Sequence, residues 1–159
     1  VGEYRTFCKV TPPLRHEDDR LAMVAALAEG VIDVVVSDHD PQDVETKRQP
    51  FSECADGALG IETMLSAAQR LVQAGQIGLP QLLAALSARP AALIGLSSGR
   101  LAVGAPADLV LFDPEAPFVV DKRKLKSRAK NSPFDEARLE GIVAATFVGG
   151  RVAYEAEAG

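Results

Sequence analysis

The chain has 159 residues, 47% of them apolar and 25% charged, the balance of an ordinary soluble domain with a core of its own. A formal net charge of −5 and the lack of any Lys/Arg stripe exclude a nucleic-acid surface, and no apolar stretch is long enough to span a membrane. The two cysteines, Cys8 and Cys54, have neither CxxC spacing nor metal partners nearby, so they read as free thiols in a reducing cytoplasm.

The first residues, Val1-Gly2-Glu3, include no initiator Met and run straight into apolar sequence, so a piece of a longer protein is expected. Phe7–Val10 is expected to be a short strand, ended by Thr11-Pro12-Pro13 because consecutive prolines cannot continue a ladder. Helical spacing of Leu21, Val24, Ala25 and Ala28 predicts a helix over His16–Glu29. Its first turn holds Glu17, Asp18 and Asp19, where the helix dipole favours acids, and Gly30 stops it. The uninterrupted apolar run of Val31–Ser37 predicts a strand buried on both faces. Asp38–Gly57 is a long loop with few apolar residues, and loops of that length in compact domains are usually functional. Helices are expected over Ile61–Ala74 and Leu79–Leu86, with the Arg89-Pro90 step separating the latter from a short turn at Ala91–Ile94.

After Leu96 the texture changes. Short strands are expected at Leu101–Val103, Asp108–Phe112 (ended by Asp113-Pro114) and Phe118–Val120. The stretch Asp121–Lys130 carries Lys122, Arg123, Lys124, Lys126, Arg128 and Lys130 and reads as a solvated face or an interface patch. Ile142–Val148 and Arg151–Tyr154 flank Gly149-Gly150, a strong hairpin signal. The first half thus suggests βαβ units and the second a small antiparallel module.

The most informative stretch is Val34-Val35-Val36-Ser37-Asp38-His39-Asp40-Pro41-Gln42. It sets a carboxylate where an apolar run ends, the position that carries chemistry in barrels of parallel strands. Four other segments belong with it: Lys9-Val10-Thr11-Pro12-Pro13-Leu14-Arg15, Ala55-Asp56-Gly57-Ala58-Leu59-Gly60-Ile61-Glu62-Thr63, Gly104-Ala105-Pro106-Ala107-Asp108-Leu109 and Lys130-Asn131-Ser132-Pro133-Phe134. In this order the set resembles the C-terminal part of a class I dihydroorotase, a branch of the amidohydrolases.

The resemblance implies an α/β fold. Residues 1–96 would be the C-terminal portion of a (β/α)8 TIM-type barrel, with Phe7–Val10 as strand seven and Ile32–Ser37 as strand eight. Residues 97–159 would supply strands of a small β-sandwich. It implies interconversion of dihydroorotate and N-carbamoyl-L-aspartate, in pyrimidine biosynthesis, with one or two zinc ions whose remaining ligands lie upstream. Asp38 would touch the metal and act as the base, and Thr11, Gln42 and Gly57 would bind substrate. It also implies a homo-oligomer and admits aspartate transcarbamoylase as a partner.

The departures from the family matter as much. The family commonly has His-Ala-Pro-His after the aspartate, where this chain has His39-Asp40-Pro41-Gln42, and Asn where this chain has Thr11. Gln42 carries no charge and Thr11 has a single hydroxyl donor, so both weaken recognition of an anionic substrate. A catalytically silent partner of aspartate transcarbamoylase is therefore an alternative, and a hydantoinase or allantoinase another. His16 is expected to be solvated, His39 to make a structural hydrogen bond, and Arg15 to pair with the Asp38–Asp43 loop.

Overall fold

A computed structural model of the chain describes residues 4–156, so the supposed interior start at Val1–Glu3 lies outside the described residues. The chain divides into two interleaved compact units. One comprises the segments ending at Met23 and spanning Val36–Met64 and Val119–Arg138, and the other Val24–Val35, Leu65–Phe118 and the segment from Leu139 onward.

Helix α1 (Glu17–Ala28) begins in the first unit and ends in the second. Asp19 Oδ2 reaches back to accept the His16 N–H at 3.0 Å, which is half of a capping box, and Gly30 at φ 77° closes the helix. The long loop contains an element that the sequence reading passed over, α2 (Val44–Lys47). Asp43 caps it, its Oδ1 accepting the N–H groups of Glu45 and Thr46 at 3.0 Å each.

In the second unit α3 (Met64–Gln73) is followed by α4 (Leu79–Leu83), a π-turn over Ala84–Ala88, and α5 (Arg89–Leu93). The break expected at Arg89-Pro90 is replaced by this wide turn. Pro90 has no N–H, and its ring would strike the carbonyl one α-turn back; widening the helix there removes the conflict without ending the helical run. Leu27, Ile77, Leu82 and Ala85 form the buried core of this unit, with Ile32, Val35, Leu71, Val72 and Leu86 packed on it.

The sheet has three strands, β1 (Leu109–Val119), β2 (Arg138–Val148) and β3 (Arg151–Glu155), in that order. The expected hairpin is present: β2 and β3 pair antiparallel with Val148 opposite Arg151. Gly149 and Gly150 sit at φ 55° and 77°, both positive as a two-residue type I′ turn requires. The strands expected at Asp108–Phe112 and Phe118–Val120 merge into the single strand β1, which runs through Asp113-Pro114. Proline is tolerated there because β1 is an edge strand.

Three expected strands are not strands. Thr6–Cys8 is a 3-10 turn that leads into extended Lys9, and Leu101–Val103 is exposed loop. Val31–Ser37 forms no strand and is not buried on both faces, since Val31 is 73% and Val36 72% exposed. A strand exists through its neighbours' hydrogen bonds. Here the Val35 N–H goes to the Ala85 carbonyl at 3.1 Å, and among the described residues parallel pairing is limited to an isolated bridge between His39 and Ala58. Among the described residues no helix is long and apolar enough to cross a membrane.

Candidate active site

The residues singled out in the sequence fall in the first unit. Asp38 is exposed and sits at φ 42°, the left-handed region, which costs a non-glycine residue on the order of 1–3 kcal/mol. Among the described residues its carboxylate makes no hydrogen bond or ion pair. The next residue is tied down: His39 Nδ1 accepts the N–H groups of Gly60 and Ile61, both at 3.3 Å. This is the structural role expected of it.

Gln42 and Gly57 are brought together through a residue to which the sequence reading gave no role. Asn131 is 2% exposed. Its Oδ1 accepts the Gln42 N–H at 3.3 Å, and its Nδ2 donates to the Gly57 carbonyl at 3.2 Å and more weakly to the Asp40 carbonyl at 3.5 Å. Its own carbonyl accepts the Leu59 N–H at 3.2 Å. The Gln42 side chain donates to Asp40 Oδ1 at 2.9 Å. Gly57, at φ 114°, lies so close to Asp40 that a Cβ would fall 2.4 Å from Oδ2. Only glycine meets both conditions.

Thr11 makes no hydrogen bond to Asn131, Gln42 or Asp40 among the described residues. It lines a cleft of about 390 Å³ together with Cys8, Lys9, Val10, Pro13, Leu14, Phe51 and Asp56. Its hydroxyl donates to Asp56 Oδ2 at 2.6 Å. That hydrogen bond, with the charge of nearby Lys9, holds the Asp56 carboxyl below the usual carboxylate range. Lys9 Nζ donates to the Cys54 carbonyl at 2.7 Å and lies 3.7 Å from Asp56.

Beneath this loop Lys47 is buried, 2% exposed, with Nζ donating to the carbonyls of Ala55 at 2.8 Å and Lys9 at 3.3 Å. Burial pushes its pKa down. Nothing in the local sequence marks Lys47 or Asn131 as buried; lysine is among the residues least often found inside. Arg15 is exposed and, among the described residues, forms no ion pair with the Asp38–Asp43 loop, so that expectation is corrected. His16 is exposed, as expected.

Among the described residues no three His, Cys, Asp or Glu side chains come together as a metal site. Asp38 fits as one ligand, an outward carboxylate without an internal partner. Structural and catalytic zinc sites take at least three protein ligands, more than the described residues bring together.

The sequence profile of the amidohydrolase family matches residues 10–153. The chain belongs to the amidohydrolase family. It is 40% identical over 157 residues to a dihydroorotase of Anaplasma phagocytophilum (strain HZ), a match spanning 99% of this chain and 35% of that protein. It is 42% identical over 156 residues to a dihydroorotase of Ehrlichia canis (strain Jake), spanning 98% and 35%. Among solved structures it is similar to an L-hydantoinase (dihydropyrimidinase) from Arthrobacter aurescens. There the TM-score is 0.88 at 32% identity, covering 96% of this chain and 35% of that one. A D-hydantoinase (dihydropyrimidinase) from Thermus sp. gives 0.86 at 28%, covering 94% and 34%. The chain therefore spans about a third of the length of the relatives it matches.

Proposed function

We propose that this chain is the catalytic-base-bearing segment of a dihydroorotase, a cyclic amide hydrolase that interconverts dihydroorotate and N-carbamoyl-L-aspartate. The observation that carries the reading is Asp38. It is a carboxylate turned out at a left-handed residue, free of internal partners among the described residues, in a chain about 40% identical to dihydroorotases. In hydrolysis Asp38 takes the proton of the attacking water as the oxygen–carbon bond forms. It returns that proton to the ring nitrogen as the carbon–nitrogen bond breaks.

The amidohydrolase family is generally metal-dependent. On this reading Asp38 would be one ligand of one or two zinc ions whose other ligands lie outside this chain, and the metal would supply Lewis-acid polarisation of the amide carbonyl. Residues 1–96 belong to a (β/α)8 barrel and residues 97–159 to a β-sandwich, in a cytoplasmic homo-oligomer.

The substrate-binding residues contribute in different ways. Gln42 Nε2 keeps a second N–H beyond the one given to Asp40, so it can donate to a substrate carboxylate. The single donor of Thr11 is engaged by Asp56, which leaves it as an acceptor. Gly57 has its N–H on the Lys9 carbonyl and its carbonyl on Asn131, so its contribution is indirect, the room that a missing Cβ leaves for Asp40.

These engaged donors favour one second reading, a silent homologue serving as a partner of aspartate transcarbamoylase. The solved hydantoinases supply the other competing substrate class. Turnover by the full-length protein, measured on dihydroorotate and on hydantoin, separates the three. Asp38→Asn is expected to lower dihydroorotate turnover by about 100-fold or more, since general bases contribute 10²–10⁴-fold. A variant keeping more than about a tenth of the rate removes Asp38 from the role.

A further inference from the structure

Asp38 is flanked by two anchors that end on one turn. On its N-terminal side, the Ser37 carbonyl lies against Gly60 so closely that a Cβ there would come 2.2 Å from the oxygen. On its C-terminal side, the His39 ring is held by the N–H groups of Gly60 and Ile61. Both groups that face Nδ1 are donors, so Nδ1 is the acceptor of the pair. The main chain beyond is fixed as well, the Asp40 N–H donating to the Ala58 carbonyl at 2.9 Å. The turn is rigid in its own right, since the Gly60 carbonyl accepts the N–H groups of Thr63 at 3.1 Å and Met64 at 2.8 Å.

We propose that His39 and the Gly60–Ile61 turn form a clamp that imposes the left-handed conformation of Asp38 and so sets the direction of its carboxylate. His39 is then a positioning residue: it touches neither substrate nor metal and acts through Asp38. The catalytic consequence rests on the proposed role of Asp38 as base. The clamp itself does not, because it is a statement about main-chain geometry. No side-chain bond of Asp38 among the described residues competes for the task. The anchors on Ser37 and His39 are what keep a non-glycine residue in a region it rarely adopts. Gly60 is required for a steric reason, as any side chain would push Ser37 away and slacken one jaw.

The test compares His39→Asn with His39→Gln in the full-length protein. An asparagine carbonyl lies near where Nδ1 sits and can accept both N–H groups, whereas the longer glutamine places its amide nearer the Nε2 position. His39→Gln is expected to lower kcat about 100-fold with KM unchanged within about threefold, the scale of effect that a misplacement of about 1 Å produces. It should also speed amide hydrogen exchange across residues 59–64. His39→Asn should keep kcat within about tenfold of wild type, with native exchange. Equal behaviour of the two variants, or unchanged exchange in His39→Gln, overturns the clamp. The two readings fail separately. A wild type that does not hydrolyse dihydroorotate, yet whose variants differ in exchange as described, sinks the base and keeps the clamp. Normal turnover with no exchange difference does the reverse.

Discussion

Asn131→Leu removes a buried junction while keeping the branched outline of the side chain. The substitution strands the Gly57 carbonyl, bonded at 3.2 Å, and the Gln42 N–H, bonded at 3.3 Å, while the 3.5 Å contact to Asp40 is too long to count for much. Each lost hydrogen bond is worth about 0.5–1.5 kcal/mol, and leaving a buried partner unpaired costs about 1–3 kcal/mol. Gly57 is buried and Gln42 half-buried, so the first carries the fuller penalty. A loss of about 2–4 kcal/mol is expected, a large share of the roughly 5–15 kcal/mol typical of a folded protein. The assay is urea unfolding of the full-length protein, comparing midpoints at constant slope. Asn131→Asp is the sharper comparison. It keeps the shape but turns an acceptor toward the Gly57 and Asp40 carbonyls, and it buries a charge. At pH 7 it should cost more than the leucine, and the gap should narrow as acid protonates the new carboxylate and restores a donor. A leucine variant destabilised by less than about 1 kcal/mol, or an aspartate variant as stable as wild type at pH 7, would refute the reasoning.

Gly57→Ala should destabilise by at least about 2 kcal/mol, because the new Cβ meets Asp40 Oδ2 at 2.4 Å in a conformation of φ 114° that alanine resists; an unfolding midpoint equal to wild type would contradict it. Thr11→Val removes the hydrogen bond that does most to lower the Asp56 carboxyl, so its titration should move up toward 3.8, read by carboxyl NMR. In wild type the folded value is depressed, so the stabilisation is present above 3.8 and lost as pH falls through the folded value; no movement in the variant would show the hydroxyl to be idle. For Lys47 the folded value lies below the ordinary 10.5, so the unfolded chain binds more protons between the two and stability should rise with pH across that window. Lys47→Met should lack that rise, and equal slopes of stability against pH in the two proteins would count against burial as the cause.

What could be read in the sequence was what a few consecutive residues decide. The start of α1, with three acids in its first turn, and the Gly149-Gly150 hairpin each depend on local geometry, and both formed. The cap of α2 was legible too, since Asp43 followed by Glu45 is an ordinary helix start, but a helix of one turn carries no apolar periodicity to mark it. Val31–Ser37 failed for the opposite reason. Its composition suits a buried strand, yet burial and pairing belong to neighbours, and these neighbours do not supply a ladder. The same limit governs the site. A carboxylate ending an apolar run marks Asp38 as interesting, but neither its positive φ nor its two anchors can be seen without Gly60, 22 residues along from Asp38. Asn131 reaches Gln42 across 89 residues, a contact that no local pattern announces. Gln42 and Thr11 show what was lost by reading positions singly. Taken alone, each is a weakened substrate donor. In three dimensions Gln42 donates to Asp40 and Thr11 to Asp56, so each departure from the family is paired with an acid that answers it. Asp40 is then the acceptor that orients the Gln42 amide, and the second N–H of that amide is not used by this bond.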